Sequence, residues 1–146
     1  GLGDVYKRQP YKFAVKAAVI FVCLADLTTI TARETRVGEL FKEGAFDGVE
    51  MDMSDPSAAT PVMDDSMVKA YLSMNTAIAI EHIVLKAVDL GLGSCWIGRF
   101  SREKLKDFLK LDGNIYPVML LPVGWPDQSP KARPRFNIDK YILKTI

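Results

Sequence analysis

The chain is poor in the residues that most often advertise chemistry. It has one histidine, His82, and two cysteines, Cys23 and Cys95, in 146 residues. The cysteines sit in apolar surroundings without metal-ligand spacing, which argues against a zinc site and reads them as reduced, buried thiols. His82 follows Glu81 but lies amid apolar residues, and no partner that would position a proton is evident. It therefore reads as a structural or interface histidine rather than a general acid. Charge of either sign is also missing in excess. Lys and Arg number 19 against 18 Asp and Glu, a formal charge of +1. No strong field points to nucleic acid or to an anionic membrane, so any anion site must be local. There is no internal repeat, low-complexity tract or second domain. With 49% hydrophobic and 25% charged residues, the composition is that of one soluble cytoplasmic domain with a real core.

The N-terminus has two unusual features. Lys7, Arg8, Lys12 and Lys16 precede the apolar run Ala17–Leu24, a superficial likeness to a signal peptide. The run is short and no cleavage pattern comes closely after it, so a buried strand covered on both faces is the better reading. Gly1–Gln9 has neither helical nor strand period and joins abruptly to the chain beyond Pro10. It reads as a non-native leader, with residues 10–146 as a single domain lacking its N-terminal segment.

Further along, Asp26–Thr31 ends the first strand, and Thr35–Lys42 suits a short helix closed by Gly44. Ala45–Pro61, without a clear period, reads as a loop. Asp64, Asp65 and Ser66 can cap a helix that runs to about Leu90 and stops at Gly91. At 1.5 Å per residue that helix would be ~37 Å long. Its centre is apolar around most of its circumference and needs cover on several sides, in a core or at a subunit interface. Lys69, Asn75, Glu81, His82, Lys86 and Asp89 argue against a membrane span. Ser101 can cap a helix to Leu109 with an apolar stripe of Leu105, Phe108 and Leu109. Tyr116–Gly124 reads as a second buried strand with Pro117 and Pro122 confined to its ends.

Gly91–Gly98, GLGSCWIG, invites a dinucleotide-binding reading that its context refuses. That fingerprint follows a strand and opens a helix, whereas here a helix ends at Gly91. The whole run from Asn75 to Pro134 says more. It contains NTAIAIEHIVLKAVDLGLGSCWIGRF, then a short helix, then YPVMLLPVGWP and the basic PKARPR. In this order and spacing it resembles the nitroreductase family of flavoproteins, and Ala17–Asp26 extends the likeness weakly.

The resemblance implies an α+β fold: a mixed, mostly antiparallel sheet flanked by helices, with a long central helix. It implies a homodimer holding FMN at its interface. It also implies transfer of hydride from NADH or NADPH through flavin N5 to nitroaromatic- or quinone-like acceptors. The flavin carries that chemistry, so no catalytic side chain is expected. The flavin contacts implied are Cys95, Trp96, Ile97 and Gly98, whose turn would aim backbone N–H groups at the flavin ring. Lys131 and Arg133 would bind the phosphate from alternate positions of an extended segment that also carries Arg135. Two departures stand out. The family's N-terminal arginine-rich and Ser-x-x-Asn-x-Gln-Pro-Trp motifs are absent, and Gln9-Pro10-Tyr11 imitates only the end of the latter. Two other readings therefore remain open. One is a non-catalytic, flavin-poor dimeric fragment of this fold. The other is a flavoenzyme of the same fold with different chemistry, such as flavin fragmentation or dehalogenation.

Overall fold

The computed structural model of the chain describes residues 13–45, 47–48, 63–142 and 144. The leader at 1–9, Gln9-Pro10-Tyr11 and most of the expected loop at 45–61 lie outside the described residues. Strand β1 is Val19–Asp26, helix α1 Arg33–Lys42, helix α2 Asp65–Asp89 and strand β2 Gly93–Ser94. Helix α3, Arg102–Leu109, and strand β3, Ile115–Gly124, come next. The strands form one antiparallel sheet in the order β1-β3-β2. The α+β class holds; no parallel pair occurs among the described residues.

Strand β3 is buried on both faces, and the two-residue period divides the core in two. Leu120 faces Ile97, Phe100, Leu105 and Ala14. Leu121 and Val123 face the other way, against Ile80 and Ala87 of α2. Strand β1 departs from the expected Ala17–Leu24. It starts at Val19 because Ala14–Lys16 is a turn of 3-10 helix, and it runs on to Asp26 because Ala25 and Asp26 pair with Tyr116 and Ile115. Nor is it covered on both faces. It is an edge strand of the described sheet, and Phe21 is 41% exposed.

The two prolines of β3 are not confined to its ends. Pro117 and Pro122 pair with Leu24 and Ile20 inside the strand. The register skips Val118 where Cys23 faces Met119 and Leu24 faces Pro117, so Pro117 sits at a bulge, where a strand tolerates it. Arg102 supports the bulge from α3. Its Nε donates to the Pro117 carbonyl at 2.9 Å and its guanidinium lies over the rings of Phe100 and Tyr116. This engagement satisfies an irregular stretch of ladder.

Helix α2 begins and ends where the sequence requires. The Asp64 side chain accepts from the Met67 N–H at 2.8 Å, and Gly91 takes φ +72° after the C-cap. Helix α3 is capped by Ser101, whose Oγ accepts from Lys104. Only Leu105 of its expected stripe is buried; Phe108 is 44% exposed and Leu109 is also exposed, because a helix this short presents one turn to the sheet. At the end of β1 the Asp26 carboxylate accepts from both the hydroxyl and the N–H of Thr28, which lowers its pKa. A depressed carboxylate contributes stability above its ordinary range, and that contribution is lost as pH falls through the lowered value. Among the described residues, no helix is long and apolar enough to cross a membrane.

Core and cap should separate in size. Leu121→Ala, at a fully buried site, is expected to cost about 2–5 kcal/mol, and Asp64→Ala about 1 kcal/mol. Urea denaturation of the two variants checks this, and equal losses would contradict it.

Candidate functional site

Antiparallel pairing brings one end of every strand together. Val19 at the start of β1 pairs with Val123 near the end of β3, and Gly93 of β2 pairs with Gly124. The segments entering β1 and leaving β3 therefore meet beside the Gly91–Gly98 turn. Two glycines set how closely. A Cβ on Gly124 would stand 3.3 Å from the Ala18 nitrogen, and one on Gly93 would stand 3.4 Å from Pro126. A side chain at Gly124 would press the incoming chain outward.

A cavity of about 730 Å³ opens at this junction. Phe13, Pro122, Trp125 and Pro126 give it apolar walls, Cys95 lines it from the turn, and Lys16, Asp127 and Arg133 supply charge. Trp125 is 79% exposed. Neither the Lys16 nor the Arg133 side chain has a hydrogen bond or ion pair among the described residues.

The residues singled out from sequence divide here. Cys95 and Arg133 line this cavity; Trp96, Ile97, Gly98 and Lys131 do not. Ile97 is fully buried in the core, and its N–H donates to the Leu120 carbonyl at 2.9 Å. The Cys95 N–H is likewise spent on Pro122 at 3.2 Å. These two amides are thus spent within the sheet, and only the others of the turn are left to be aimed at a ligand. The alternate amides, Trp96 and Gly98, have no backbone partner among the described residues. Gly98 is not required by packing among the described residues, since a Cβ there would meet Met119 at an ordinary 3.5 Å.

Arg133 lines the cavity, and Lys131 is not among its lining residues. Residues 125–137 pair with no strand, so nothing imposes a pleat on them, and Lys131 stays exposed outside the cavity. Sequence reasoning passed over Lys16, Trp125 and Asp127. The signal for Lys16 was available only through register: a cation just before β1 becomes a neighbour of the chain leaving β3 once Val19 is paired with Val123. Cys23 plays no part in the cavity; burial pushes its thiol pKa up, which keeps it a poor nucleophile. A second groove, of about 680 Å³, gathers Lys69, Arg102, Lys106 and Tyr116 at the opposite end of β3. There Arg102 and Lys106 are already engaged with backbone carbonyls. No group of His, Cys, Asp and Glu suited to a metal ion occurs among the described residues.

Residues 61–125 match the model of the nitroreductase family. The chain is 34% identical over 71 residues to the oxygen-insensitive NADPH nitroreductase of Salmonella typhimurium, covering 47% of this chain and 30% of that protein. It is 27% identical over 95 residues to a Methanothermobacter thermautotrophicus protein assigned as an NADH dehydrogenase/NAD(P)H nitroreductase, covering 61% of this chain and 50% of that one. The matches thus span half or less of these two relatives. In fold, the chain is similar to an FMN complex of a protein from Exiguobacterium sibiricum assigned as a nitroreductase. The TM-score is 0.70 at 15% identity, over 98% of this chain and 69% of that one.

Gly124→Val should open the junction. The new side chain meets backbone at Ala18, and overpacking of this kind costs about 1–3 kcal/mol. Thermal unfolding checks it; a variant as stable as the parent would show that Ala17 and Ala18 move aside freely.

Proposed function

We propose, from the match of residues 61–125 to the nitroreductase family model, that the chain is part of an FMN-dependent oxidoreductase of that family using NAD(P)H. Bound FMN would supply the chemistry, taking hydride from NADH or NADPH at flavin N5 and passing it to nitroaromatic- or quinone-like acceptors. The observation that carries the reading is the cavity at the strand ends, which joins Arg133, without a partner among the described residues, to apolar walls and to Cys95 of the turn.

The residues present fit such a group. A cavity of about 730 Å³ lies within the ~300–1,000 Å³ usual for small-molecule and cofactor sites. Arg133 offers a fork of donors suited to a phosphate. Phe13, Pro122 and Trp125 offer apolar faces to a planar ring. The amides of Trp96 and Gly98 have no backbone partner among the described residues, but both residues lie outside this cavity.

A flavin-poor fragment of the same fold is the second reading. It is favoured by one observation: Lys131, Trp96 and Gly98 lie outside the cavity that Arg133 and Cys95 share. Calorimetric titration with FMN and riboflavin separates the two readings. Arg133→Ala should weaken FMN about tenfold or more, the value of a hydrogen bond to a charged group, and change riboflavin much less. Failure of the unsubstituted chain to take up either flavin would favour the second reading.

The working unit in this proposal is a homodimer in the cytoplasm. Met67, Met74, Ile78, Leu85 and Val88 are exposed on α2 and recur at intervals of seven, four, seven and three, which places them along one stripe. A second copy of the helix is a fitting cover for such a stripe. Light scattering at micromolar concentration should give a dimer, and Ile78→Glu with Leu85→Glu a monomer. A parent chain that is monomeric with and without FMN would contradict this.

A further inference from the structure

We propose that Lys16 is a second cation for the anionic end of the ligand, holding a phosphate monoester jointly with Arg133. This deepens the flavin reading and rests on it. Lys16 closes the 3-10 turn Ala14–Lys16, whose Ala14 is fully buried. Its N–H donates to the Phe13 carbonyl at 2.9 Å, and the next amide, Ala17, donates to Ala14. Close contact between Ala17–Ala18 and Gly124 fixes the backbone beside the end of β3. The Lys16 position is thereby set by the fold, while its side chain stays exposed and lines the same cavity as Arg133.

Charge balance points the same way. Two cationic side chains without partners among the described residues line one cavity, in a protein whose formal charge is only +1. A phosphate monoester carries between about −1.5 and −2 at neutral pH, so one guanidinium leaves it partly uncompensated. An ammonium from the β1 side supplies the remainder. Asp127 lines the cavity too and opposes the anion.

FMN and riboflavin differ only in the phosphate, so titrating both by flavin fluorescence isolates the effect. Lys16→Gln should weaken FMN about tenfold, as for loss of one hydrogen bond to a charged group, and leave riboflavin unchanged. Lys16→Arg should restore FMN binding. Asp127→Asn should tighten FMN and not riboflavin. The combined Lys16→Gln, Arg133→Gln variant should bind the two flavins alike. Unaltered FMN affinity in Lys16→Gln, with Arg133→Gln still weakened, would overturn this inference and leave the flavin reading standing. Equal loss of both flavins in Lys16→Gln would make Lys16 a packing residue and overturn it as well. An unsubstituted chain that binds neither flavin would overturn both.

Discussion

The backbone ladder of β3 is the constraint on which the rest depends. It is the only strand of the described sheet paired on both sides, and both hydrophobic clusters rest on its alternating side chains. A one-residue slip would turn Leu120 and Leu121 to the wrong clusters at once, so register here is strongly specified. The strand nevertheless carries two prolines, each lacking an amide that a ladder would use. One is placed at a bulge, and Arg102 engages the carbonyls of Pro117 and Val118 there. The guanidinium thus does for the sheet what a regular neighbour would have done, and it binds α3 to β3 in the process.

How far the sequence reveals this fold depends on where each signal resides. The ends of α2 are legible because they are local chemistry: a carboxylate that caps its own helix and a glycine at positive φ. The turn at 112–114 and the cap at Ser101 are legible for the same reason. The limits of β1 are not, because they are set by its partner, which pairs as far as Asp26 and not at Ala17. The prolines of β3 mislead for a related reason. A proline rule read along one strand has no knowledge of a bulge or of an arginine fifteen residues away.

The candidate site divides in the same manner. The family likeness of the Asn75–Pro134 run is legible from order and spacing, and two of its residues, Cys95 and Arg133, do come to one cavity. Which amides of the turn remain available is a property of pairing with β3, since Cys95 and Ile97 spend theirs on Pro122 and Leu120. Whether the basic run presents one face is not fixed by sequence, because alternation holds only where a strand imposes a pleat and none pairs with residues 125–137 among the described residues. Lys16 had no distinguishing mark in sequence beyond its charge.

Fold and electrostatics meet at this junction. A chain with nearly balanced charge has no overall field with which to gather an anion. Local placement must then do it, and placement requires fixed backbones on both sides of the cavity. The antiparallel register provides them, since the start of β1 and the end of β3 are necessarily neighbours. Gly124 then brings the first close to the second, and Gly93 seats Pro126 over β2. Cations carried by the incoming and outgoing segments consequently face one volume without an ion pair among the described residues to neutralise them. Distances along the sequence matter little in such an arrangement: the register sets where the chain around residue 16 meets the end of β3, and the unpaired segment after β3 carries residue 133 to the same cavity. Any change that loosens the ladder at this end should therefore alter anion affinity even when it touches no charged side chain.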